Sequence, residues 1–527
     1  MLTPAFGYGN PAVSPLLSPN PGPSTALSNP LSTTTLAPVR PGAFPLQAGD
    51  PRAPAILLQP SVSLLGGYTD NPRNTPNNFS DVFGQFHGDA TISVDTVRLQ
   101  GQLSGSLDHQ RYARATDQNQ TFGNLLAYGL GTVVTDHVFI DGRAAITETS
   151  QTGGLAFASP SLIPNSQAQQ VITASVSPFA RQSFGGYVDS ELRYNYSTVQ
   201  TTSGNSAVNA NPSPLLFAPN LQDATQNAVT ATFATGQLLS VVGSRLTLDA
   251  RKIDSVSAAR STQYRAFDDL SYQFNPKFAG LGRIGYENLD YPFQPSANFN
   301  GPSWYIGGRY TPYGSTYVLL TFGRQEGLLG FNGALQYEIT PRTTAFASFQ
   351  RNRVSQQQQI FNSLNASGVD SFGNVVNQST GLPVPLVNSV FSNTNAVTEN
   401  ETAQAGVQTR FERDTLSLYT FIAKESPIGA PIGVPLSSVG TLNNTGGGAN
   451  LIWGRSLTPR LNSYAALGFT RQTNDDQNTL TASWSLQYIL GEKLSANFLY
   501  QFINVDSSAV GSSYHRNQVQ IGLTRSF

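Results

Sequence analysis

The chain holds few side chains that could perform covalent or metal chemistry, and they are dispersed. Cysteine is absent from all 527 residues, which excludes a disulfide scaffold and zinc–thiolate sites. His87, His109, His137 and His515 lie on separate segments, without the His-x-x-x-His spacing that puts two imidazoles on one helix face. Asp108-His109 is the one local acid–imidazole pair a hydrolase could use, and it reads more simply as the beginning of a loop. No phosphate-cradling loop, dinucleotide fingerprint or nucleophile elbow sits in a strand–turn–helix context, since no helix is expected. The expectation is a protein without catalysis, cofactor or metal.

Charged residues are the remaining candidates, and a repeat positions them. Leu99, Gly101, Leu103, Gly105 and Leu107 alternate with Arg98, Gln100, Gln102, Ser104, Ser106 and Asp108 without exception. A period of two places the two sets on opposite faces of a sheet. Leu246, Leu248 and Ala250 against Arg245, Thr247, Asp249 and Arg251 repeat it, as do Leu494, Ala496, Phe498, Tyr500 and Phe502 against Ser495, Asn497 and Gln501. Faces carrying such charges should meet water, so Arg98, Asp108, Arg245, Asp249 and Arg251 are expected to line a lumen, with Arg193, Arg283, Glu287 and Gln350 beside them. Their mixed signs argue against a strong ion filter. They serve either as cross-strand pairs that stiffen the wall or as a solute path. Gln, Ser, Thr and Asn far outnumber them, which suits neutral solutes such as glycans.

The elements that must hold these residues follow from composition and connection lengths. Only 12% of residues are charged and 39% are hydrophobic, with 48 glycines, where globular chains carry about 25% charge. No 18-residue apolar run exists to cross a bilayer as a helix, and 30 basic against 31 acidic residues give no footprint for nucleic acid. From Gln59 onward, alternating segments are separated by connections that are in turn short and long. Short ones are expected near Val94-Asp95-Thr96, Thr135-Asp136-His137, Gly185-Gly186, Gly243-Ser244 and Asn275-Pro276-Lys277, and five more follow to Gly491-Glu492-Lys493. Longer ones include 151–167, 201–222, 324–328, 354–398 and 425–446. A soluble Greek-key sandwich would mix lengths irregularly. The pattern predicts an all-β, antiparallel up-and-down transmembrane barrel of about 22 strands (20–22), with short periplasmic turns, long extracellular loops and both ends on the periplasmic side.

Residues 1–54 form a Pro/Ser/Asn-rich tract expected to be a disordered leader or periplasmic tail, and 55–527 the barrel. No basic, apolar and small-residue cleavage pattern opens the chain, which implies a processed, truncated or misassigned start. At the other end Val519, Ile521, Leu523, Arg525 and Phe527 share one face. A last alternating strand ending in Phe resembles the signal read by barrel-assembly machinery.

A barrel of this size encloses more space than its own side chains fill, so it is a water channel or a plugged transporter. The leader is too short and Pro-rich for a folded plug, and the longest loop, 353–399, could turn inward as a constriction or remain a surface loop. Most aromatics should form interfacial girdles. The loop carrying Tyr291, Phe293, Phe299 and Trp304 could instead offer exposed rings to a sugar.

The order Leu65-Gly66-Gly67-Tyr68-Thr69-Asp70-Asn71, then Asn124-Leu125-Leu126-Ala127, then Asp136-His137-Val138-Phe139-Ile140-Asp141 resembles the exosortase (PEP-CTERM) system-associated outer-membrane barrels, and more loosely the β-barrel porins of exopolysaccharide gene clusters. The resemblance covers nearly everything after the leader. It implies one barrel in the bacterial outer membrane, with outer-membrane lipid and polysaccharide-export or surface-sorting components as partners. No site residues come with it. The expected function is a passive or partner-gated conduit for exopolysaccharide, other glycans or small polar solutes. The alternative is a barrel closed by its loops that anchors a surface or periplasmic assembly.

Overall fold

The computed structural model describes residues 55–527 except 78, 151–152, 164, 166, 204–220, 237–240, 256–258, 314–315, 370–374, 378–390, 392–393, 430–442, 474–475 and 509–511. The tract 1–54 and parts of the 353–399 connection lie outside the described residues.

Hydrophobic alternation produces a single closed wall. A sheet of 22 strands runs antiparallel throughout, each strand beside its sequence neighbour. It closes where Ile56–Thr69 pairs with Tyr514–Ser526, from Ser61 opposite Ser526 to Thr69 opposite Gln518. Closure leaves no row of unpaired backbone groups, which is the condition for a sheet to cross a bilayer. Thr343–Ser355 pairs directly with Val397–Arg410 across the longest connection. A separate small hairpin, Ser367–Val369 with Val375–Asn377, lies within that connection.

The wall is apolar outside and polar inside. On the closing strands Leu64 is 69% and Ile521 63% exposed, whereas Ser63 and Gln520, on the opposite face, are 1% and 2% exposed. A soluble sandwich would bury Leu64 and Ile521 and expose the serine and glutamine. The reversal identifies the outer face as lipid-facing. A strand of 13 residues such as Tyr514–Ser526, rising about 3.3 Å per residue and tilted about 40°, covers about 33 Å, enough for a hydrocarbon core of about 30 Å. Among the described residues no helix is long and apolar enough to span. The chain is an integral barrel of the outer-membrane type.

Connections alternate between a short-turn rim and a long-loop rim, with two departures from expectation. Gly243 and Ser244 lie inside Val242–Ser255, so the connection from Ala224–Thr235 ends before them. The stretch 324–328 is not a long loop: Tyr317–Gln325 and Leu328–Thr340 are joined by Glu326 and Gly327 alone. Their φ values of 51° and 78° are the left-handed pair that a two-residue hairpin turn requires, and glycine takes the second without strain. A further departure is the helix Gln356–Ala366, in a chain read as having none.

Candidate functional site

The inner wall carries a charged arc whose members are placed by strand register. Arg245 stands opposite Asp269, Asp269 opposite Arg283, and Arg283 opposite Tyr305. Arg283 donates to Asp269 through Nε at 2.6 Å and Nη2 at 2.8 Å, and the Tyr305 hydroxyl donates to the same carboxylate at 2.8 Å. The Arg283 guanidinium also lies 3.8 Å from the centroid of the Phe267 ring. Nearer the long-loop rim the next row runs Arg193, Thr230, Asp249, Arg265, Glu287. Arg193 pairs with Glu191 at 2.9 Å, Arg251 with Asp249 at 3.6 Å, and Arg265 with Glu326 at 3.0 Å. Glu287 accepts the Glu326 backbone N–H at 2.6 Å. Charges satisfied by neighbours present little net field to a solute. Arg245 differs in making no ion pair among the described residues; its Nε, like those of Arg251 and Arg265, is buried without a hydrogen-bond partner.

Not every expected lumen residue sits in the wall. Gln350 has the inward parity and is half-buried. Arg98 is exposed in the turn 96–98, where the Thr96 hydroxyl and backbone close on Leu99 and end the ladder, so its side chain belongs to the rim. Asp108 points inward but is fully buried, accepting from Gln85 Nε2 at 2.6 Å and meeting His87 Nδ1 at 2.8 Å. His109 faces the other way, with Thr121 and Arg111 as partners. Alternation thus separates Asp108 from its sequence neighbour and pairs it with a histidine on the adjoining strand.

The four loop aromatics do not form an exposed platform. Tyr291 is fully buried in a cluster with Leu289, Ala297 and Val397. Its hydroxyl accepts from Gln263 at 3.2 Å, and burial pushes the phenol pKa up. Phe293 is half-buried under Arg260, and Phe299 packs onto the Tyr291 cluster with Arg324 above it. Trp304 is on the outer face, edge-on to Phe322, where it meets lipid. A loop one turn long folds its rings onto the nearest apolar surface, and here that surface is inside.

Two connections from the long-loop rim fold into the lumen. The helix Gln356–Ala366 begins at Ser355, whose hydroxyl accepts the Gln358 N–H at 3.3 Å. Its apolar side, Ile360, Phe361 and Leu364, packs against Ala145, Val171, Val199 and Ile253 on the inner wall, burial worth about 1.5–3 kcal/mol per side chain. Its polar side is clipped to the charged arc. Arg251 donates to Asn362 at 3.1 Å, Ser175 to Asn365 at 2.8 Å, and Arg143 to the carbonyls of Leu364 and Ser367 at 3.2 and 2.6 Å. Gln358 and Gln263 exchange bonds at 2.9 and 3.1 Å. The second segment lies in 153–163. Phe157 packs edge-on to Phe421 over Gly448 and Gly468, and Leu155, Leu162 and Ile163 meet Ile503, Val505 and Tyr514.

The helix had a readable signal that periodicity in strands obscured: Ser355 followed three residues later by Gln358 is a capping-box spacing. The inward course of 153–163 has no comparable signature.

No family model and no curated protein matches the chain. Solved structures that share its outline include a siderophore receptor from Pseudomonas aeruginosa, 10% identical with a TM-score of 0.43 over 90% of this chain and 81% of that one. An iron transporter from Neisseria meningitidis is 10% identical with a TM-score of 0.47 over 89% and 82%. A siderophore receptor from Acinetobacter baumannii is 10% identical with a TM-score of 0.44 over 89% and 80%.

Proposed function

We propose that this chain is a gated conduit of the bacterial outer membrane, passing polar solutes or glycan chains through a lumen that its own loops close. The observation that carries the reading is the helix Gln356–Ala366, held inside the barrel by reversible polar contacts to Arg143, Ser175, Arg251 and Gln263. A purely structural barrel has no use for a charged inner wall that grips a removable segment. In this reading the short turns face the periplasm and the long loops the exterior, as in outer-membrane barrels generally. The protein does no chemistry of its own, and the exposed Phe527 at the end of the closing strand is the mark read by barrel-assembly machinery. The resemblance to exosortase-associated and exopolysaccharide-cluster barrels supports polysaccharide-export or surface-sorting components as partners.

Conductance of the refolded chain in a planar bilayer tests this, compared with a variant in which 356–366 is replaced by a Gly/Ser segment of equal length. Small or no steps from the parent and large steady steps from the variant are expected. Silence of a correctly folded variant would discard the conduit and leave the alternative, a loop-closed barrel that anchors an assembly.

A further inference from the structure

The lumen has two chemically distinct walls. In the charged arc most ionic groups satisfy one another. On the other side, from Gln477–Ile489 through Leu494–Asp506, Tyr514–Ser526, Ile56–Thr69 and Asp81–Asp95 to Leu99–Tyr112, the inward positions are dominated by amides, hydroxyls and glycines. One register row crosses all six strands: Gln487, Asn497, Gly522, Leu65, Gln85, Gln110. Ser495 lies one step toward the short-turn rim and Gln520 one step toward the long-loop rim.

Along this row polar atoms lack protein partners. They are Gln487 Nε2, Ser495 Oγ, Asn497 Oδ1, Gln520 Nε2, Gln85 Oε1 and both polar atoms of the Gln110 side chain, on residues no more than 5% exposed. A buried polar atom without a partner costs about 1–3 kcal/mol, so a run of them along one inward row points to a ligand that completes them. Two of the amides are held at one end: Gln85 Nε2 donates to Asp108 and Asn497 Nδ2 to Thr524, each at 2.6 Å. That aims the carbonyl oxygens of both as acceptors. The row thus offers donors from Gln487 and Gln520, acceptors from Gln85 and Asn497, and both from Gln110. An anion would satisfy only the donors and a cation only the acceptors, whereas a sugar hydroxyl satisfies either. Among the inward charges on these strands, Asp89 and Asp108 both face His87, at 3.4 and 2.8 Å, and the buried Arg516 donates to Tyr112 and Gln518.

We propose that this amide row is a binding track for a neutral glycan chain. It rests on the conduit reading for its access to solute and names that solute's class.

Isothermal titration of the folded full chain in detergent with a short neutral gluco-oligosaccharide, and with an oligogalacturonate of the same length, tests it. The neutral chain binds and the polyanion binds far more weakly. The variant Gln487→Leu with Gln520→Leu weakens neutral binding at least about tenfold, with a heat-unfolding midpoint equal to or above the parent's. Should that pair fail to fold, Gln487→Met and Gln520→Met singly, which keep side-chain length, each weaken it several-fold. Unchanged affinity in folded variants, no saturable neutral binding to the parent, or preference for the polyanion would each overturn the track. Binding that depends on these amides while the helix-replaced barrel stays silent would keep the track and remove the conduit; a conducting barrel that binds no glycan would do the reverse.

Discussion

The half of the barrel near the long loops and the half near the short turns are built from the same strands, yet they are filled differently. In Thr343–Ser355 the buried residues are Asn352, Arg353, Val354 and Ser355, all at the long-loop end, and in Val138–Ser150 they are Ala145, Thr149 and Ser150. Leu328–Thr340, beside the two-residue turn Glu326-Gly327, has no buried residue at all. Alternation sets which way a side chain points, and it does so equally in both halves. What the side chain then meets depends on connections whose sequences have no period. Wall and closure are therefore separable: one is stabilised by cross-strand pairing, the other by loop segments packed onto it.

Removing a wall ion should produce the largest effect, and one confined to stability. In Asp269→Ala the Arg283 guanidinium, 7% exposed, loses both of its carboxylate bonds, which costs about 3–5 kcal/mol. The midpoint of denaturant unfolding in detergent should fall accordingly while conductance stays at the parent's level. If the variant instead conducts freely at unchanged stability, wall and closure are one cooperative unit.

A closure residue should behave in the opposite way. Phe361 is fully buried between helix and wall, and Phe361→Ala should weaken docking of the helix by about 3 kcal/mol. Protease cutting within 356–366 should accelerate and conducting events appear, with the barrel's unfolding midpoint unmoved. A fall in that midpoint equal to the docking loss would merge the two halves.

The second closing segment allows a smaller and more local test. A Cβ on Gly468 would stand 2.6 Å from Thr481 Oγ1 and 2.7 Å from Phe157 Cβ, closer than packing permits; the threonine hydroxyl can rotate aside, so Gly468→Val should lift Phe157 from its seat beside Phe421. Because Gly468 is in a strand and Phe157 in a loop, the loop gives way first. Faster protease cutting in 153–163 without loss of the barrel is expected; a barrel that no longer folds would show that the segment is integral to the wall.

These cases also show what the sequence discloses and what it withholds. The strand parity at Arg245 and Asp249 was legible because both lie in an uninterrupted alternating run; Arg283 and Glu287 share their inward face with Leu281 and Leu289, and the outward Ile284 and Tyr286 between them carried the signal. Arg98 has the same parity but precedes Leu99, the first laddered residue of its strand, and a period of two carries no mark of where pairing starts. Burial was less legible still: Tyr291 and Trp304 belong to one aromatic stretch, yet one is sealed inside and the other faces lipid, because depth depends on residues far away in sequence. Ser355 and Gln358 did announce a helix. That it turns into the lumen is decided by Arg143 and Arg251, more than a hundred residues earlier, which no local pattern can supply.

The smallest expected effect lies on the long-loop rim, where an ion pair joins two connections without entering the lumen. Arg73 Nη2 and Nε bond the Asp117 carboxylate at 2.7 and 2.9 Å, linking 70–80 to the short helix Thr116–Gln118. The Arg73 hydrogen bonds, helped by Gln118, hold the Asp117 carboxyl well below its usual range. A carboxyl depressed in the folded state stabilises it fully above the unfolded value of about 4, and that contribution fades as pH falls below it. Both side chains are about half exposed, so salt should screen the effect as well. Pepsin cutting of these loops should therefore rise as the pH drops below about 4, beyond the enzyme's own pH response, and Asp117→Asn should be cut at the faster rate throughout. If the parent and the variant share one pH profile while conductance also changes, the rim pair is coupled to closure, and the division between the two halves would have to be drawn higher in the barrel.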